Sequence, residues 1–119
     1  MRSDQEHEIQ KHFIKWVRLN QIRIKELQLL YAIPNGGHRH IKVAKKMKSE
    51  GQLAGVPDLH LPVPMGGYAS LYLETKTPTG RQTSNQKSFA ALLEACGNKY
   101  VICRSTVELI NATKEYLNQ

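Results

Sequence analysis

"GVPDLHLPVPMGGYASLYLETKTP", residues 55–78, is the stretch from which the fold can be read. Two runs suited to β-strands, 57–63 and 68–76, flank the connection "PVPMGG", the pattern of an antiparallel hairpin with a long loop. Side chains on a strand alternate between faces. Tyr68, Ser70, Tyr72, Glu74 and Lys76 therefore share one face, and Ala69, Leu71, Leu73 and Thr75 the other. With the loop centred near residues 65–67, Asp58 falls opposite the Glu74 to Lys76 end, where facing side chains stand about 5 Å apart. Two acids and a lysine are expected to meet at one end of one hairpin.

Upstream, Ile9, Phe13, Trp16, Val17, Ile24, Leu27 and Leu30 recur at three-and-four spacing, which predicts one long helix from Ser3 or Asp4 to Tyr31, about 40 Å if unbroken, stopped by Pro34. Asn35, Gly36 and Gly37 predict a tight turn. A second helix is expected from roughly His40 to Glu50, with Ile41, Ala44 and Met47 inward and Lys42, Lys45, Lys46 and Lys48 outward. Downstream, residues 83–96 predict a helix with Phe89, Leu92, Leu93 and Cys96 inward, "YVIC" (100–103) a buried strand, and Ser105 or Thr106 the start of a last helix to about Leu117. No repeat, low-complexity tract or linker is visible, and 119 residues suit one domain, 1–119.

Seventeen Lys and Arg against ten Asp and Glu leave a net charge of +7, which suits a polyanion such as nucleic acid and is also found in basic proteins with no such partner. Cys96 and Cys103, both in apolar runs, fit free buried thiols in a reduced, cytoplasmic setting. The charged start "MRSDQEHEIQ" and the lack of any run of about 18 apolar residues predict neither a signal peptide nor a membrane span.

Two carboxylates held as close as Asp58 and Glu74 repel, and one has its pKa raised unless a cation lies between them; a hard divalent ion such as Mg²⁺ or Mn²⁺ meets that need. Such an ion activates water and neutralises charge in phosphodiester hydrolysis, and the Lys76 ammonium can steady the developing oxyanion or orient the water. An E-x-K tripeptide alone is usually a solvent-facing pair. Here a G-x-P-D unit precedes it, and Leu71, Tyr72 and Leu73 make its strand largely buried, so the charges at its end need a partner.

"GVPDLHL", "LYLETK" and "TSNQKSF" together resemble the PD-(D/E)XK nuclease superfamily, and within it the VRR-NUC branch, the virus-type replication and repair nuclease domain, over nearly the whole chain from "EHEIQ" to "YVICRS". The resemblance implies an α/β fold with a restriction-endonuclease-like core, a small mixed central sheet flanked by helices. It implies that Asp58, Glu74 and the Thr75 carbonyl hold the metal and that Lys76 is catalytic. Glu8 matches the family's N-terminal helical glutamate, as a ligand or supporting acceptor, yet it also suits an i, i+4 pair with His12. Gln86 matches the glutamine after E-x-K, while Thr83-x-x-Gln86 is equally a capping box.

Asn35 with its glycines resembles the family's N-G turn, able to approach the site or a phosphate. His38, Arg39, Lys42, Lys45, Lys46, Arg81, Lys87 and Arg104 are phosphate candidates, although a lysine-rich helix face is often only solvated. His38 and His40 lack further ligands at zinc spacing, and no G-x-S-x-G is present. The resemblance implies a Mg²⁺- or Mn²⁺-dependent, structure-specific DNA endonuclease of the standalone type from a bacterium or virus-infected cell, a homodimeric resolvase of four-way (Holliday) junctions. The rival readings are a flap or restriction-type endonuclease and a non-catalytic basic DNA-binding module.

Overall fold

The computed structural model describes residues 3–34 and 41–119; Asn35, Gly36, Gly37, His38, Arg39 and His40, with the turn and phosphate contacts expected of them, lie outside. Ser3 caps the first helix, α1 (Asp4–Asn20), by accepting from the Glu6 N–H, and the helix buries Phe13 and Val17. It does not run on to Tyr31. Asn20 turns its side-chain amide back onto the Trp16 carbonyl (2.8 Å), a local bond that competes with helix propagation. Ile24 then becomes extended (φ −114°, ψ 91°) and a short 3₁₀ helix follows over Lys25–Leu29. The break carries Ile24 and Leu27, 3% and 1% exposed, into the core. Burying two such side chains is worth about 1.5–3 kcal/mol each, more than a few further helical residues contribute.

The released chain forms a strand that the sequence did not reveal, β1 (Tyr31–Ala32), antiparallel to β2 (Leu59–Leu61). The expected hairpin is present: β2 pairs antiparallel with β3 (Leu71–Thr75), with Leu59 opposite Leu73 and Leu61 opposite Leu71. Both strands are shorter than their apolar runs, since Pro62 and Pro64 cannot donate to a ladder; a Met65–Tyr68 bridge closes the loop. The "YVIC" run lies in β4 (Lys99–Cys103), parallel to β3, at the edge of the mixed sheet β1-β2-β3-β4. As an edge strand it is half-buried rather than fully buried, except at Cys103.

The parallel pair requires a crossover, supplied by α3 (Ser84–Ala95). This helix buries Ala90 and half-buries Phe89 and Leu93, while Leu92 and Cys96, expected inward, are exposed. The last helix, α4 (Thr106–Leu117), is capped by Ser105 and buries Leu109, Thr113 and Leu117. Together α1 and α4 cover the sheet face that carries Leu59, Leu61, Leu71, Leu73 and Cys103, the main core. Thr106 Oγ1 donates to the Ile9 carbonyl and ties the two helices. The lysine-rich helix, α2 (Ile41–Ser49), buries no residue fully; Ala44 and Met47 are half-buried, and Ile41 is exposed against expectation. No helix among the described residues is long and apolar enough to cross a membrane.

Candidate active site

The second face of the sheet is polar where the first is apolar. Alternation along β3 turns Tyr72 and Glu74 onto it, and the register that sets Leu59 opposite Leu73 sets Asp58 opposite Glu74. Asp58 is held from both sides. Its carbonyl accepts from the Ile33 N–H just beyond β1 (2.8 Å), and its Oδ2 accepts from the Thr75 N–H (2.7 Å). The unexpected first strand thus helps to fix the aspartate. A further constraint comes from Gly55, at φ +83°, where a Cβ would stand 2.5 Å from the Asn85 carbonyl oxygen and 3.0 Å from the Gln86 nitrogen. Only glycine lets the G-V-P-D turn, which carries Asp58, ride against the start of α3.

Asp58, Glu74 and Lys76 are all buried, at 4%, 2% and 8% exposure. Burial pushes the Glu74 carboxyl up to about 9, helped by the charge of Asp58 and a hydrogen bond with it, while the Lys76 charge and the Tyr100 hydroxyl act the other way. Each Glu74 oxygen faces a neutral donor: Gln86 Nε2 at Oε2 and Tyr100 OH at Oε1, both at 3.4 Å. Gln86 serves two ends at once, since its Oε1 accepts from the Thr83 N–H (2.9 Å) within the capping box. Lys76 donates its backbone N–H to the Cys103 carbonyl, and its stem passes Gly80. Arg104 Nη1 bonds the Thr77 and Gly80 carbonyls (2.9 and 2.6 Å), stitching down the loop after Lys76. Expected as a phosphate ligand, it is engaged with backbone instead.

The other candidates lie elsewhere. Glu8 is 60% exposed, with its carboxylate 3.8 Å from His12 Nε2, the i, i+4 pair rather than a partner of the two acids. Among the described residues, no trio of His, Cys, Asp or Glu is grouped to hold a metal. Lys42, Lys45 and Lys46 on α2, with Arg81 and Lys87 around the start of α3, are exposed. Tyr100 and Gln82 escaped sequence reasoning. Tyr100 is brought over the acids by its register with Tyr72, which depends on a parallel pairing that no local pattern announces.

A family model for the VRR-NUC domain matches residues 1–107. The chain belongs to the VRR-NUC domain family. Its fold is also that of a solved "VRR_NUC domain protein", 23% identical, at a TM-score of 0.82 over 99% of this chain and 92% of the other. No curated protein matches the chain in sequence. Membership in the VRR-NUC family carries nuclease-type activity on DNA, a hydrolase function, and the +7 net charge suits that polyanionic substrate.

Proposed function

We propose that residues 1–119 act as a single metal-dependent endodeoxyribonuclease domain in which Asp58 and Glu74, with the Thr75 carbonyl, hold Mg²⁺ or Mn²⁺, and Lys76 is the catalytic ammonium. The observation that carries this is the convergence of two buried carboxylates whose mutual repulsion and desolvation strongly disfavour a charged Glu74. Asp58, Glu74 and the Thr75 carbonyl would hold a hard, oxygen-seeking cation, whose charge would offset that cost. The bound ion supplies charge neutralisation and an acidified water.

The chain's own residues do the rest. Water adds its oxygen to phosphorus, one P–O bond to a deoxyribose oxygen breaks, and that oxygen ends protonated. Lys76 stabilises negative charge on the phosphate oxygens as this happens, from a buried position in which its charge is little screened. Gln86 orients Glu74, and exposed Lys42, Lys45, Lys46, Arg81 and Lys87 contact phosphates along the duplex. The preferred substrate is branched DNA, a four-way junction cut by a homodimer; Leu19 in the last turn of α1 and Ile22 just beyond it, 77% and 87% exposed, supply apolar surface for a two-fold interface.

The test is incubation of labelled four-way junction, flap and linear duplex with Mg²⁺ or EDTA, comparing the native chain with Lys76→Ala. The expected result is paired cuts in the junction that need Mg²⁺ and fall at least a hundredfold in Lys76→Ala, while DNA binding survives. Single nicks in a flap by a monomer would replace the resolvase with a flap endonuclease. Binding without cleavage by the native chain in every condition would leave a basic DNA-binding module.

A further inference from the structure

We infer that Tyr100, braced by Gln82, is a positioning residue that fixes the Glu74 carboxylate for cation binding. The inference rests on the metal-site reading above and adds to it a pair of side chains from β4 and from the loop before α3. Tyr100 stands in register with Tyr72 on the parallel neighbour of β3, so its ring projects from the same sheet face as Glu74. Its hydroxyl lies 3.4 Å from Glu74 Oε1. Gln82 Nε2 donates to that hydroxyl at 2.8 Å. A phenol oxygen that accepts from an amide has its own proton free to give, and the Glu74 oxygen is the acceptor in front of it.

The carboxylate is thereby held at both oxygens, by Tyr100 at Oε1 and by Gln86 at Oε2, each a neutral donor anchored outside β3. Neutral donors suit this role. A cationic partner would satisfy the carboxylate and compete with a metal ion, whereas a hydroxyl and an amide restrict rotation and leave the negative charge for the cation. Tyr100 is half-buried and Gln82 reaches it from the loop that Arg104 stitches down, so the chain Gln82 to Tyr100 to Glu74 is set by the fold without substrate.

Tyr100→Phe keeps the ring and removes only the donor. It is compared with the native chain and with Gln82→Ala for melting temperature, for Mn²⁺ binding by calorimetry, and for kcat and KM on the best-cut DNA. The expected result is an unchanged melting temperature, Mn²⁺ affinity weakened about three- to tenfold, kcat lowered about tenfold in subsaturating Mn²⁺ and KM for DNA unchanged. Gln82→Ala is expected to give a smaller loss, and the double variant no more than Tyr100→Phe alone, as for groups acting in one chain. Native Mn²⁺ affinity and kcat in Tyr100→Phe overturn the inference and leave the nuclease reading intact, as does a loss that appears only as a lower melting temperature. A native chain that binds Mn²⁺ yet cuts no DNA defeats the nuclease reading, and the Mn²⁺ affinities still decide for or against Tyr100. A native chain that binds no Mn²⁺ overturns both.

Discussion

Glu74 sits where an ionised carboxylate is least comfortable. Its ordinary pKa of 4.5 is pushed up to about 9 by burial and by Asp58, so the folded chain without metal holds a proton that the unfolded chain has released across that window. The stability linked to that proton is fully present below about pH 4.5 and is lost as the pH rises toward 9. In EDTA the melting temperature is expected to fall between about pH 5 and 9, and Glu74→Gln to flatten the fall; Mn²⁺ at pH 8 is expected to restore the native chain and leave the variant unaffected. Thermal melts in matched buffers read all three. A second residue test concerns Thr75, whose fully buried Oγ1 has no hydrogen-bond partner among the described residues while its N–H binds Asp58. Thr75→Val removes an unsatisfied hydroxyl and keeps the backbone, so stability is expected to rise by about 1 kcal/mol, a few degrees in melting temperature, with Mn²⁺ affinity unchanged. A lower melting temperature in calorimetry tells against it. Asp58, Glu74 and Lys76 are legible in the sequence because strand alternation and a turn signal suffice to juxtapose them. Gln86 is legible by its cap and its resemblance. Tyr100 is not, since its place depends on which strand becomes the parallel neighbour of β3.

At the scale of elements, the hairpin and the last two helices follow from periodicity and caps, and the ends of α1 and β1 do not. The three-and-four apolar spacing continues past Asn20 even though the helix stops, because Ile24 and Leu27 reach the core equally well from an extended residue and a 3₁₀ turn. A two-residue strand such as β1 is too short to carry a pattern; pairing with β2 creates it. Leu92 and Cys96 share the apolar character of Phe89 and Leu93, and only the way α3 lies on the sheet separates exposed from half-buried. The packing of the 55–58 turn against α3 gives a sharp test. Gly55→Ala combines a positive φ with a 2.5 Å clash against the Asn85 carbonyl. It is expected to cost about 1–3 kcal/mol from the backbone alone and to push the turn that carries Asp58 away from the start of α3. The predicted outcome is cleavage reduced at least tenfold at a temperature where circular dichroism shows the variant folded; native turnover there refutes the coupling.

At the scale of the molecule, the sheet separates two tasks. One face packs on α1 and α4 and supplies the core; the other carries the acids, the lysine and their supports. The helix α2 buries nothing fully, and Lys42, Lys45, Lys46 and Lys48 on it are exposed, which suits binding to a polyanion rather than packing. Replacing Lys42, Lys45 and Lys46 with Ala is expected to weaken binding to duplexes of any sequence alike. The slope of log affinity against log salt should shrink by about 0.9 for each phosphate that the variant no longer neutralises, read by fluorescence anisotropy between about 50 and 200 mM salt. An unchanged slope excludes those lysines from the DNA-binding surface.

The register of β2 on β3 also governs which changes of chain length this protein can absorb. Asp58 meets Glu74 because Leu59 faces Leu73, and side chains invert with every step along a strand. One residue added between Asp58 and Leu59 would point the acid toward the hydrocarbon side, whereas residues inserted into or deleted from the stretch between Leu61 and Leu71 leave that pairing as it is. Homologous chains are therefore expected to differ freely in the reach of this connection and hardly at all in the count from the aspartate to the first paired leucine.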